Sequence, residues 1–595
     1  MGADGWSTLW STLSEAQRLL SARSLLSSMG WSSLSPELVE HVLAYLGFHD
    51  LLLCQRLDRR LHHIVKHSLL LQYSIRLHAA ALLYHLLPAL SHNTADRLAL
   101  LDSRERAWQH IAFLRSVHIP AHTTGVVIDG LVAGAIYAAP RPHSLPRSPD
   151  LAFASLSLSL PSAYTPDPHV FSWNPISLGI DLTVVNIGYS EDQDLIAVMT
   201  SRHERGATTA VLEFRLIRSS TGTPHPLAPA PVLFVGHCAL DATEYSIALD
   251  IVGDNIVFLH IRHATPDGER DGLFFLPWKE GVIYPLRMSP PDVYTGFVFL
   301  SDNLLVLPNA ARNHLEICVL ARPNPNLPPV LRPIHYLYLP PLAPGVHIAY
   351  ADMAAKPSPS ASRGPSPLAA PYTPFTSDPS AAVIMIDFHL HRSDPDGLVS
   401  RSPCCVVHRH VLLSYALSSL QRSLHPQSNA LDVPSTPWDD WGPHTTRWLD
   451  FPPEDARWAT CAGQRLVSIA GAREAPLCVL DFNPYNVRRA LAPLPHLRPD
   501  LPPDPVVLPN GNALRVIVRP SVVRAAEWYA SDIVSALPYV ETTTARTYVY
   551  DGISMDEERI LGMRLHVPSI ESVDDEVGIE SYDVLVLGTS STADS

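Results

Sequence analysis

The residues best suited to chemistry lie close together: His389, His391, Cys404, Cys405, His408 and His410. Imidazole and thiolate are the ligands zinc prefers, and on strands residues two apart share a face. If their strands pair, the His389/His391 and His408/His410 couples face one another. The Ser393-Asp394-Pro395-Asp396-Gly397 turn between them does not fix a register, and 29 histidines make chance couples frequent. They are therefore read as ordinary strand-face histidines, and no metal or other cofactor is expected. The chain has no Gly-x-Ser-x-Gly elbow, Walker loop, dinucleotide Gly triad, His-Glu-x-x-His helix or Cys-x-x-Cys pair, so a non-catalytic role is expected.

Strands must carry these residues. From about Thr124 onward, short Val, Ile, Leu and Phe runs alternate with Gly, Pro, Asn and Asp. The clearest runs are Leu195 to Thr200, Ala210 to Ile217, Ser246 to Val252, Asn255 to Ile261, Gly272 to Leu276, Gly296 to Leu300, Asn303 to Leu307 and Leu315 to Leu320. Gly253-Asp254-Asn255 and Ser301-Asp302-Asn303 read as hairpin turns, and Trp278 as a packing residue at a strand end. Repeated antiparallel hairpins over several hundred residues predict a β-propeller-like region, since a single open sheet could not protect so many edges. The expected division is a helical extension at 1–30, a helical module at 31–75, a helical linker at 76–120 and the β region at 121–590. The fold class is thus α+β multidomain, a helical start followed by a large all-β part. Lys356 to Pro379, a Pro/Ser/Ala run, reads as a surface loop, and the acidic stretch Glu571 to Asp583 as solvated.

The 595 residues carry 43 Lys plus Arg against 58 Asp plus Glu, a formal charge of −15, which argues against nucleic acid as a main ligand. Seven cysteines, irregularly placed, do not make a disulfide framework, so a reducing cytoplasmic or nuclear setting is expected. No window reaches the ~18 uninterrupted apolar residues of a membrane helix; the best, Val126 to Ala139, is broken by Asp129 and glycines. The start, MGADGWSTLWSTLSEAQ, is no persuasive secretory signal and reads as an amphipathic helix.

In LSPELVEHVLAYLGFHDLLLCQRLDRRLHHIVKHSL, from Leu34 to Leu69, Ser35 and Pro36 signal a helix start. Val39, Val42, Leu43 and Leu46 form one apolar stripe, Gly47 a stop, and Asp50 the cap of a second helix running through Leu51, Cys54, Leu57, Leu61 and Ile64 or Val65. Arg59 and Arg60 suit either partner contact or helix packing, and His62, His63 and His67 a solvated face. This stretch resembles an F-box, with departures at Ser35, Asp58 and Leu61. Later segments, among them LIRSSTGTPHPLA, DIVGDNIVFL, LFFLPWKEG, FVFLSDNLLVL, WGPHTTRWL and YDGISMDEERILGM, are similar to mushroom-type fungal F-box proteins with a β-propeller-like second half. The resemblance implies a substrate-recognition adaptor of a Skp-cullin-F-box ubiquitin ligase. Such a subunit binds a Skp-family adaptor, and through it a cullin, by the F-box, and a target protein by the β region; no nucleic acid or membrane partner is expected. Leu34, Pro36, Leu38, Leu43, Leu46, Leu51, Leu52 and Leu57 are the residues expected to dock or to support docking. A non-degradative F-box scaffold is the alternative, and a propeller enzyme a more distant one.

Overall fold

The computed structural model describes residues 34–84, 93–120, 127–132, 135–140, 151–157, 160, 163, 174–180, 182–203, 209–239, 247–265, 268–322, 324, 327–359, 374–394, 397–423, 433–449, 457–470, 474–492, 505–566 and 578–588. The expected helix at 1–30 and residues 571–577 of the acidic stretch lie outside these. Two compact units meet between Glu105 and Arg106.

The first unit is helical: α1 (Pro36–Leu43), α2 (Phe48–Leu57), α3 (Arg59–His67), α4 (Leu69–Ala79) and the start of α5 (Thr94–His110). Pro36 opens α1 and Gly47, in an extended conformation, precedes α2. Where the periodicity reads one helix from Asp50 onward, there are two. Asp50 sits inside the first turn of α2, while Asp58 turns extended and accepts the amides of Arg60 and Leu61, capping α3. A carboxylate that satisfies two orphan helix N–H groups favours a new start over an uninterrupted helix. Ser68 does the same for α4, accepting from Leu71 N (3.1 Å) and donating to Glu40 (2.7 Å). Val39, Leu43, Leu51, Leu61, Ile64, Val65 and Leu71 form the core.

The second unit is β. Among the described residues seven sheets of four or more strands, antiparallel but for one added strand, follow one another along the chain. Sheet one spans Val127–Val132 to Asn174–Ile180, sheet two Leu182–Ser190 to Val232–Ala239, and sheet three Ile247–Val252 to Tyr284–Ser289. Sheet four runs from Val298–Ser301 to Val330–Tyr338 and adds Ser435–Thr436 in parallel, and sheet five from Val346–Ala354 to Thr446–Leu449. Sheet six extends from Arg457–Ala462 to Tyr539–Tyr548, and sheet seven from Gly552–Met555 to Gly578–Leu587. The first strands of sheets six, seven, one, two, three and four are neighbours in that order. Thr295 bonds both backbone groups of Ala351, joining sheets four and five, and Cys461 Sγ reaches Ala354 O between five and six. Most of the β unit's apolar cores lie between successive sheets, as with Phe214, Phe258, Phe274 and Trp278 between two and three. Such a closed, propeller-like order leaves each sheet covered on both faces, which is why its strands read as near-continuous apolar runs.

Both hairpin turns occur as expected, with Gly253 at φ +58 in its turn, and the runs fall on strands, apart from Ser246, which lies outside the described residues, and Gly296, Phe297 and Asn303, which precede theirs. Trp278 is fully buried, its indole N–H donating to Gly253 O (3.3 Å). Within Val126 to Ala139, weighed as a membrane span, the described residues belong to the paired strands Val127–Val132 and Ala135–Pro140, and among the described residues no helix is long and apolar enough to cross a membrane.

Three expectations are corrected. Phe113–Pro120, placed in the helical linker, is a strand paired with Gly578–Leu587 and completes sheet seven. The acidic stretch contributes to that same strand: Tyr582 is buried, and Asp583 accepts from Arg564 (2.8 Å) and Tyr550 (3.2 Å). Lys356 to Pro379 is not simply a surface loop. Residues 360–373 lie outside the described set, but both ends are built in. Ser358 donates to Ile251 O of sheet three (3.2 Å), Lys356 O accepts from Gly463 N of sheet six (2.8 Å), and Ser377 donates to Glu557 of sheet seven from N (3.1 Å) and Oγ (2.7 Å). Phe375 is buried, and the buried guanidinium of Arg409 donates to Pro357 O (3.0 Å) and Pro379 O (2.7 Å). Proline removes N–H donors but leaves carbonyls, which a cation can hold.

Candidate functional site

In the helical unit, α1 turns Val39 and Leu43 inward, and a flanking stripe that is also apolar stays exposed. Leu38 is 55% exposed, Val42 42% and Tyr45 81%, with Pro36 exposed beside them. Positions 38, 42 and 45 fall on one helical face. The ring of Tyr45, just past the helix, meets His41 edge-on at 5.5 Å. Leu69 and Leu70, at the start of α4, are exposed as well.

The eight docking candidates divide accordingly. Leu43 and Leu51 are buried in the core, Leu34, Leu46 and Leu57 pack partly against it, and Leu52 is half-buried. Of the eight, Pro36 and Leu38 are the exposed ones. Val42, counted with the core stripe, belongs with them, and Tyr45 was missed; the 38/42/45 spacing was the available signal. Arg60 binds Leu34 O, so it fastens the chain entering α1, while Arg59, His62, His63 and His67 are exposed. An exposed stripe of three large apolar side chains on a short helix is suited to a partner's apolar groove.

The histidine couples of the β unit do not meet. His408 is paired with Val383, and His410 lies in the following helix, Arg409–Ser423, whereas His389 and His391 sit toward the other end of strand Val383–Asp394. Burial, then His410, pushes the His408 imidazole down to about 4. Cys404 and Cys405 are buried, and burial raises both thiols. Among the described residues no three His, Cys, Asp or Glu side chains converge as a metal cage would require.

Register gives His389 and His391 different neighbours: His391 lies opposite His347, and His389 opposite Tyr350. The His347 and His391 rings are 5.9 Å apart at 85°. With Asp292, Ile348 and Ala349 they line a cleft of about 580 Å³. Ser402 Oγ, 3.1 Å from His389 Nδ1, orients that ring. His347 is 44 residues from His391, and nothing local announces the pairing.

Buried charge is handled in two ways nearby. Between sheets three and four, Glu316 accepts from Arg287 (2.6 Å), Tyr294 OH (2.9 Å) and Asn309 (2.7 Å), with His314 at 3.3 Å. Burial alone would raise this carboxyl, but the bonds from His314, Asn309 and Arg287 outweigh it and bring it to about 2. Glu191, in the turn after the first strand of sheet two, is instead raised to about 7 by burial and then by Asp192 and Asp556.

No family model and no curated protein matches the chain. Solved structures similar to parts of it include Hsv2p of Kluyveromyces lactis (10% identity, TM-score 0.26, 60% of this chain and 93% of that one). YCF48 bound to D1 peptide (9%, 0.27, 74% and 96%) and an exo-beta-1,3-galactanase from Phanerochaete chrysosporium (10%, 0.22, 79% and 100%) are others. Likenesses this distant carry no argument about activity, and the closed order of sheets rests on the chain's own strand pairing.

Proposed function

We propose that this chain is a non-catalytic adaptor, a substrate receptor of a Skp-cullin-F-box ubiquitin ligase. Its helical unit docks on a Skp-family adaptor, and its propeller-like β unit holds a target protein for modification by an enzyme carried elsewhere in the complex. Proximity performs the work, because tethering two reactants raises their effective concentration without a reactive group in the receptor. The observation that carries the reading is the apolar face of α1, where Leu38, Val42 and Tyr45 remain exposed above a completed core. The resemblance of Leu34 to Leu69 to an F-box supplies the class of partner.

The test is capture of a Skp-family adaptor by the full chain and by a Leu38→Ala/Val42→Ala/Tyr45→Ala variant. If each side chain contributes ~1 kcal/mol, capture falls by two orders of magnitude or so while the thermal midpoint holds, since none of the three is buried. Undiminished capture by the folded variant sinks the docking assignment. Co-capture of a cullin, together with slower turnover of a bound target when the stripe is removed, separates a ligase subunit from a scaffold.

A further inference from the structure

Of the 43 Lys and Arg side chains, 40 are Arg and three are Lys: Lys66, Lys279 and Lys356. Lysine is ordinarily among the commonest residues of a soluble protein. Geometry accounts for some of the arginines, because a planar guanidinium pairs bidentately with a carboxylate and an ammonium does not. Arg322 does so with Glu280 (2.6 and 2.8 Å), and Arg392 with Asp394 (2.8 and 2.6 Å). Geometry does not account for Arg59, Arg332 and Arg489, which are exposed and form no ion pair among the described residues. A lysine at such positions would supply the same charge, so what the chain forgoes there is the amine.

The amine is what ubiquitin transfer consumes. A neutral lysine Nζ attacks the thioester carbonyl that joins ubiquitin's carboxyl terminus to an enzyme cysteine. The isopeptide C–N bond forms, the C–S bond breaks, and the thiol leaves with the proton lost by nitrogen. A guanidinium stays protonated and offers no such nucleophile. Tethering raises the effective concentration of every amine in a complex, the receptor's as much as the target's. A receptor is thus the nearest acceptor for its own ligase unless it has few amines to present.

The three lysines are held differently. In the β unit, Lys279 Nζ bonds Asp254 Oδ1 (2.6 Å) and lies 5.2 Å from the centre of the Trp278 ring. Lys356 is half-buried, in a segment fastened where its carbonyl accepts from Gly463 N. Lys66, in the last turn of α3, is exposed and forms no ion pair among the described residues.

We propose that this scarcity of amines shields the β unit from the ubiquitin-charged enzyme of its own ligase, and that Lys66 is the site at which this chain accepts ubiquitin. The inference rests on the ligase reading and sharpens it, since a scaffold remote from ubiquitin transfer gains nothing from losing its lysines.

The full chain would be assembled with a Skp-family adaptor, a cullin, ubiquitin and its activating and conjugating enzymes. Conjugates would be mapped by mass spectrometry in the wild type, a Lys66→Arg variant and an Arg332→Lys/Arg489→Lys variant. These exchanges keep the charge at exposed positions, and thermal midpoints check the fold. The expected result is conjugation at Lys66 in the wild type, its near-complete loss in Lys66→Arg, and new conjugates at positions 332 and 489 in the third chain. With adaptor and cullin captured, conjugates chiefly on Lys279, Lys356 or the α-amino group overturn this inference alone. So do a wild type that takes no ubiquitin and a third chain whose added amines stay bare. Failure to capture the adaptor overturns the ligase reading and this inference with it. An amine-reactive ester applied to the free wild-type chain needs no variant: Lys66 should label severalfold faster than Lys279, and equal rates overturn the assigned order.

Discussion

Glu316, buried, and Glu191, half-buried, have the same side chain and move in opposite directions, to about 2 and about 7. At Glu316 donors converge from two sheets, Arg287 and Tyr294 from the end of sheet three and the segment after it, Asn309 and His314 from sheet four. Glu191 has two acidic neighbours instead. The difference teaches that burial alone does not decide whether a charge supports this ring. The donors brought by the neighbouring sheet do, because desolvation pushes both carboxyls upward.

Removing the compensated charge should have the largest effect. Glu316→Ala leaves Arg287 facing a seam it was paired across, and losing one member of a buried pair costs about 3–5 kcal/mol. Urea unfolding at pH 7 would show it, and a loss under 1 kcal/mol would mean the network adds little. The pH dependence is fixed by the direction of the shift. A depressed carboxyl contributes stability present in full above its unfolded value, near 4.5, and lost as pH falls through about 2. The penalty of the variant should thus be level from pH 8 to 5 and shrink below 4.5.

Arg409 sharpens the contrast from the cationic side. It is buried, burial lowers it to about 10, and its Nη1 and Nη2 groups donate to the carbonyls of Ala355, Pro357 and Pro379. Arg409→Met should cost about 2–3 kcal/mol, the loss expected when charge-assisted bonds to carbonyls disappear, and should raise protease sensitivity near residues 356–379. An unchanged cleavage pattern would show that the carbonyls do not need the cation.

Glu191→Gln should have the smallest effect and the opposite sign. A raised carboxyl takes stability away as pH climbs from about 4.5 through 7, because the folded state holds its proton longer than the unfolded chain. The variant should be more stable than the wild type by about 1 kcal/mol at pH 8, allowing for solvent screening, and indistinguishable at pH 4.5. Thermal midpoints across that range would decide it, and parallel curves would break the comparison.

What the sequence disclosed was what local chemistry determines. Gly253-Asp254-Asn255 and Ser301-Asp302-Asn303 turn because of their own side chains and glycine's freedom, so the flanking strands were legible. Asp58 was legible in kind but not in position, because Asp50 offered the same cap eight residues earlier. Phe113–Pro120 follows a helix directly, and its partner lies more than 460 residues away, so no window of sequence joins them. The histidine site failed for the same reason. His389 and His391 were visible as a couple, but His347 becomes the neighbour of His391 only through sheet register, while His408 is carried to the far end of the strand.

Pairing of Phe113–Pro120 with Gly578–Leu587 also sets an order of events at the ribosome. The earliest of the ring's strands to emerge must wait until almost all of the β unit has been synthesised, at roughly 5–20 residues per second a delay of about half a minute or more. Over that interval its backbone donors and acceptors have no native partner, and such an edge invites pairing with other chains. Translation halted before residue 578 would release a product with a half-built seventh sheet, so nascent chains of this protein should depend on chaperones until the last strand arrives.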